Sequence, residues 1–178
     1  MKINEKLYNK KKQEILSIKQ RKLCFVIEGD LLHYERNRTT GRGGFVRQYD
    51  PTAKDKKIIQ KELSVFLENK FGGNYNLIKT SMRIEMIFCK RVNKGWSNVD
   101  KKLAIDGLIH PYTKADIDNH CKIYMDIFNK FIYTDDATIY ELRGIKRFIS
   151  RNKNEKVIVK IWYDSDFRSS QQRRDSIK

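Results

Sequence analysis

The stretch KADIDNHCKIYMDIFNKFIYTDDATIYELRGIKR, residues 114–147, carries two pairs of aspartates, Asp116/Asp118 and Asp135/Asp136. Between the pairs, Ile117, Cys121, Tyr124, Phe128 and Phe131 recur at helical spacing, which predicts a helix over residues 117–130. Residues 138–148 then read as a strand. The acids thus bracket a helix that feeds directly into a sheet.

The flanking sequence supplies the rest of that sheet. TSMRIEMIFCKR (80–91) alternates Met82, Ile84, Met86 and Phe88 with Arg83 and Glu85, a strand pattern. KLCFVI (22–27) is a short apolar run consistent with a buried strand. In 156–163, Val157, Val159, Ile161 and Tyr163 alternate with Ile158, Lys160 and Trp162, and NKN at 152–154 reads as a hairpin turn between the last two strands. From Asp50 as cap and Pro51 in the first turn, a helix carries Ile59, Leu63, Phe66, Leu67 and Phe71 on one stripe and stops at Gly72-Gly73. Residues 92–113 read as irregular. The order β-α-β-α-β-β predicts one small α+β domain, with helices packed on a mixed sheet. Residues 1–21 form a basic, helical N-terminal extension with Ile15 and Ile18, residues 22–164 the domain, and residues 165–178 a polar, flexible tail.

The chain has 178 residues and a formal net charge of +16, with 39% hydrophobic residues. That apolar fraction is too high for a wholly disordered chain, and the length suits a single core. No run of 18 apolar residues and no signal-peptide pattern is present, so a cytoplasmic protein with no membrane association is expected. Cys24, Cys89 and Cys121 are scattered in apolar stretches, which favours reduced, buried thiols. His33, His110 and His120 are isolated, and this spacing argues against structural zinc.

The positive charge points to a polyanionic partner, nucleic acid before anionic membrane or acidic protein. The arm EGDLLHYERNRTTGRGGFVRQYDP (28–51) concentrates Arg36, Arg38, Arg42 and Arg47, interleaved with Tyr34, Phe45 and Tyr49. Arginines fork onto phosphates and aromatic rings stack on bases, so the arm reads as a DNA-contacting element. A solvated loop with scattered charge is the plainer alternative.

Each aspartate pair alone has an ordinary explanation. Asp116 sits where a helix N-cap belongs, Asp118 lies in the first turn, and Asp135-Asp136 suits a connection. Converging carboxylates in a basic protein are different, because they repel the phosphates that the surface attracts. A divalent cation between them and a phosphate resolves the conflict. Mg²⁺ takes oxygen ligands, polarises a phosphodiester and activates a bound water. Lys122, four residues after Asp118, is placed to stabilise charge developing on phosphorus, or else forms a surface ion pair with Asp118 or Asp126. Asn119 is a candidate amide support for an aspartate, or a backbone cap.

These residues resemble the signature of the RusA family of Holliday junction resolvases, metal-dependent endonucleases of bacteria and their phages. The likeness rests on Asp116, Asp118, Asn119, Lys122, Asp126 and Asp135/Asp136, with Glu141 and Lys146 on the following strand, and it extends more weakly over residues 22–163. His120, Cys121 and Phe131 stand where small or aliphatic residues are common in the family. The resemblance implies a RusA-like fold and symmetric nicking of four-way or branched DNA in recombination and repair. It also implies a homodimer, a Mg²⁺ cofactor with Mn²⁺ as substitute, and Asp116, Asp118, Asp135 and Asp136 as ligands. A flap or branch nuclease of broader range, or a non-catalytic DNA-binding protein that kept the fold, are the competing readings.

Length adds a constraint. A helix over 117–130 is about 20 Å long, whereas four or five extended residues reach back at most ~13–18 Å. One chain therefore struggles to bring both pairs to one cation. Two antiparallel copies, each lending one pair, would complete composite sites.

Overall fold

The computed structural model describes residues 4–35, 38–42, 45–112 and 115–165. In chain order the elements are α1 (Glu5–Leu16), β1 (Gln20–Glu28), β2 (Arg38–Arg42), β3 (Phe45–Tyr49), α2 (Ala53–Phe71), β4 (Met82–Arg91), α3 (Asn98–Ile105), α4 (Ile117–Phe128), a single 3-10 turn (Asp136–Thr138), β5 (Ile139–Ile149) and β6 (Lys156–Asp164). Strand parity builds the main sheet. Leu23, Phe25 and Ile27 of β1, Ile84, Met86 and Phe88 of β4, and Val157, Val159 and Ile161 of β6 all turn to one side and are buried. On that side α2 contributes Ile59, Leu63 and Leu67, and α4 contributes Ile123, Tyr124, Ile127 and Phe128. Each such side chain stabilises the fold by roughly 1.5–3 kcal/mol through removal from water.

The strand order is β1-β6-β4-β5; β6 runs antiparallel to both neighbours, and β4 pairs in parallel with β5. The domain is therefore α+β with a mixed four-stranded sheet, as the residue pattern predicts. On the opposite side of the sheet, register aligns charged residues across strands. Glu85 accepts from Lys160 at 2.7 Å and from Arg143 at 3.5 Å. The Lys160 hydrogen bond, with the nearby cations behind it, pulls the Glu85 carboxyl below its ordinary range. No described helix is long and apolar enough to cross a membrane.

Several expectations need correction. β5 and β6 do not form a hairpin. A turn closes at 150–153, with Lys153 N donating to Ser150 O, but β4 lies between the two strands. Burial matches this order at one edge: β4 and β6 bear fully enclosed residues, whereas no residue of β5 is buried. Residues 92–113 are not wholly irregular, because α3 forms there. Ser97 caps it, accepting from Asp100 N at 3.1 Å and donating to the Asp100 carboxylate at 2.7 Å. The arm contains the β2–β3 hairpin. Thr52, not Asp50, holds the N-cap position of α2, although Asp50 accepts from the Thr52 N–H and hydroxyl just before it. Cys24 is exposed, since its neighbours Leu23 and Phe25 take the inward parity; Cys89 and Cys121 are buried. Residues 166–178, the expected tail, lie outside the described residues, as do residues 1–3 of the extension; α1 within that extension buries none of its residues.

One close approach sets the position of α4. A Cβ on Gly144 of β5 would stand 2.7 Å from Cys121 Sγ and 2.8 Å from Ile117 Cγ1. Lys146, two residues along the same strand face, donates from Nζ to Ala115 O at 2.5 Å. Gly144→Ala is therefore expected to destabilise the domain by about 1–3 kcal/mol through overpacking. Urea denaturation measures this, and an unchanged midpoint would show that the helix does not depend on the missing side chain.

Candidate metal centre and nucleic-acid interface

α4 forms because its buried stripe faces the sheet and because Asp116 enters it in extended backbone (φ −68°, ψ 157°). Asp116 holds the N-cap position, yet its carboxylate makes no capping hydrogen bond. Asp118 follows in the first turn, where the helix dipole favours an anion. Both are exposed, and no hydrogen bond or ion pair with other described residues ties down either carboxylate. Capping therefore does not account for the Asp116 side chain.

Lys122 lies on the same helix face as Asp118 but pairs with neither Asp118 nor Asp126 among the described residues. Its Nζ sits 3.9 Å from the centroid of the Tyr34 ring, a cation–π arrangement. Tyr34 is held in turn, its N–H donating to Asn119 O at 3.0 Å. Asn119 thus engages the segment after β1 through its carbonyl. Asp126 accepts instead from Lys56 of α2 at 3.4 Å, and Lys56 also pairs with Asp50 at 2.9 Å.

The second pair occupies a tight connection after α4. Lys130, with φ 60°, turns the chain in the left-handed region, and Lys130 N donates to Tyr133 O at 2.7 Å. Asp135 is used by the backbone: its Oδ1 accepts from Ala137 N at 2.8 Å, capping the 3-10 turn. Asp136 is half-buried, and its Oδ1 is shielded from water with no hydrogen-bond partner. Asn129 Oδ1, at the C-terminal end of α4, is in the same condition. Between them in sequence, the Tyr133 hydroxyl donates to Met125 O at 3.1 Å. Burial, and then the neighbouring Asp136, push that phenol far above its usual pKa.

A buried acceptor without a partner costs about 1–3 kcal/mol. Asp136 Oδ1 and Asn129 Oδ1 are both hard oxygen donors, the type that Mg²⁺ or Ca²⁺ takes. The residues present therefore fit a divalent cation. Asn129 was not a candidate from sequence, because an asparagine ending a helix is ordinary and its orphaned oxygen exists only in the fold.

The two pairs stay apart within one chain. α4 is an unbroken helix of 12 residues, about 18 Å long. The first pair sits where α4 meets Gly144 and Lys146, while the second pair precedes the start of β5 at Ile139. Five strand residues separate these levels by about 17 Å. Among the described residues, no three His, Cys, Asp or Glu side chains converge on a point that could hold a metal.

Of the arm arginines, Arg38 is exposed and donates to Glu35 at 2.8 Å, which partly occupies it. Arg42 and Arg47 lie on β2 and β3, which pair antiparallel. Arg36 lies outside the described residues.

Comparison with known proteins bears on the whole arrangement. The family described as Endodeoxyribonuclease RusA matches residues 33–162, which include all four aspartates, Lys122 and the hairpin. A Bacillus subtilis (strain 168) relative, the uncharacterized protein YqaN, is 29% identical over 138 residues, covering 76% of this chain and 94% of its own length.

Adding Mg²⁺ or Ca²⁺ is expected to raise the thermal midpoint, with stabilisation approaching about 2.7 kcal/mol at a hundredfold excess over Kd. Asp136→Asn should lose most of that gain. A wild-type midpoint that neither cation moves would sink the metal reading.

Proposed function

The chain belongs to the RusA endodeoxyribonuclease family, and from that premise we propose that it is a Mg²⁺-dependent homodimeric endonuclease that resolves four-way DNA junctions by paired, symmetric phosphodiester hydrolysis. The observation that carries this reading is the pairing of four acids in a chain of net charge +16, two of them without structural employment and one with a buried oxygen left unsatisfied. Asp116, Asp118, Asp135 and Asp136 would hold the cation. When bound, it supplies Lewis-acid polarisation of a phosphodiester and activation of water for attack.

The remaining residues have separate tasks. Lys122, steadied over Tyr34, directs an ammonium to the face that Asp118 shares, where negative charge develops during phosphoryl transfer. Asn119 fixes Tyr34, and so acts on Lys122 through the backbone rather than through its amide. Arg36, Arg38, Arg42 and Arg47 hold backbone phosphates away from the cut, so affinity falls steeply as salt rises.

The spacing of the acids favours composite sites. Two copies with α4 helices antiparallel would set the Asp116/Asp118 pair of one protomer beside the Asp135/Asp136 pair of its partner. Two equivalent sites then face the two equivalent strands of a junction. Tyr140 and Leu142 of the edge strand β5, 59% and 42% exposed, are apolar surface that such a dimer would cover.

Asp118→Asn protein is expected to bind a synthetic four-way junction in a gel assay but not to cut it with Mg²⁺. Mixed Asp118→Asn and Asp136→Asn subunits should regain cleavage, because a heterodimer contains one intact composite site. No recovery on mixing rejects the composite arrangement. A wild-type protein that binds junctions yet leaves them uncut rejects the nuclease in favour of a binding protein.

A further inference from the structure

Beside Asp116 lies a cavity of about 390 Å³ that the roles above leave unused. Its walls come from the segment after β1, from β4 and β5, and from Ala115, the residue immediately before the first acid pair. His120 is the central feature. It is only 4% exposed, and its ring stacks on Phe88 at 5.0 Å and 28°, while His33 meets it edge-on at 6.3 Å and 83°. His120 Nδ1 lies 2.5 Å from Leu32 O. A carbonyl only accepts, so in the neutral ring the proton belongs on Nδ1 and Nε2 presents a lone pair. Among the described residues Nε2 has no hydrogen-bond partner, and the ring borders the cavity.

The other groups define what the cavity accepts. Lys90 and Lys146 bring ammonium groups to the wall, the latter anchored on Ala115 O next to Asp116. Asp30 and Glu155 bring carboxylates, that of Glu155 already accepting from Arg91 N at 3.0 Å. A free phosphate suits this lining poorly, since it would face a lone pair and two carboxylates. A planar heterocycle suits it well. The exposed ring of His33 offers a stacking surface, the lone pair accepts from an amine, and the lysines meet the phosphates on either side. The volume exceeds the ~300 Å³ lower end of small-ligand sites.

We propose that this cavity receives one nucleobase turned out of the stack at the DNA branch point, next to the phosphate held at Asp116 and Asp118, and that His120 Nε2 reads its exocyclic amine. This deepens the junction-endonuclease reading and rests on it. Adenine, cytosine and guanine carry such an amine, whereas the only donor of thymine is its N3–H, flanked on both sides by carbonyl oxygens that would oppose the lone pair. Branch points favour this use, because a nucleotide there is already partly unstacked and costs less to extrude. The cavity would thereby set a base preference beside the cut.

The test is a scan of four-way junctions in which each nucleotide flanking the branch point is replaced in turn by thymine or an abasic site. Binding is read with Ca²⁺ and cleavage with Mg²⁺. One position is expected at which either replacement weakens wild-type binding about tenfold. His120→Phe keeps the ring and removes the nitrogen, so it should erase the difference between bases while binding the abasic junction like wild type. His33→Ala, at an exposed residue, should weaken binding of the base-bearing junction but not of the abasic one, and it serves if His120→Phe fails to fold. A flat scan in a wild-type protein that binds and cuts overturns the proposal, as does base preference retained in both variants. Inorganic phosphate that displaces the base-bearing and abasic junctions equally at millimolar concentration identifies a phosphate subsite instead and overturns it too. A wild-type protein that neither binds nor cuts any junction overturns the endonuclease reading, and this proposal with it.

Discussion

The absence of a side chain at Gly144 lets α4 settle on β5, and the placement of the acids follows from that contact. Ile117 and Cys121 occupy the space that a Cβ would claim. Lys146, on the same face of the strand, reaches the carbonyl of Ala115 and fixes the residue before Asp116. The start of β5 follows Asp135 and Asp136 through the 3-10 turn. One strand therefore positions both pairs, near its middle and just before its start. Helix and strand agree on the separation, at about 18 Å and about 17 Å.

The other acids of the chain show what structural carboxylates look like here. Glu85 is met by Lys160 and Arg143, Asp106 by Lys102 at 2.7 Å, and Asp50 and Asp126 by one shared lysine. In a protein with 38 Lys and Arg against 22 Asp and Glu, cationic partners are plentiful. That Asp116 and Asp118 form no such pair with described residues is then informative. Exposed surface pairs are worth only ~0–1 kcal/mol, so little stability is forgone by leaving these carboxylates open to a cation.

Much of the fold was legible because parity and period are local properties. The alternation in β4 and β6 and the stripes of α2 and α4 are written in consecutive residues, and the structure follows them, whereas β1 reads as an unbroken apolar run although Cys24 and Val26 face outward. Strand order is not local. The turn at 150–153 has the right residues for a hairpin, yet which strands pair depends on how deeply each is buried. α3 was readable from Ser97, an N-cap serine three residues before Asp100, hidden in a polar stretch with few apolar residues. At the site, the aspartates announced themselves as chemistry out of place in a basic chain. Asn129, Tyr34, His33 and His120 did not, because their roles arise from neighbours distant in sequence: Leu32 lies 88 residues from His120.

Lys56 joins two parts of the molecule that the sequence keeps far apart. It bridges Asp50, at the foot of the β2–β3 hairpin, and Asp126, on the solvent side of α4. The hairpin that carries the arginines is thus rooted on the helix that carries the first acid pair. Before the hairpin, the Tyr34 N–H donates to Asn119 O of the same helix, and beyond it Gln60 of α2 donates to Ile127 O. The chain entering the hairpin and the chain leaving it are thereby each tied to α4, so a shift of that helix would move both strands together rather than slide one past the other.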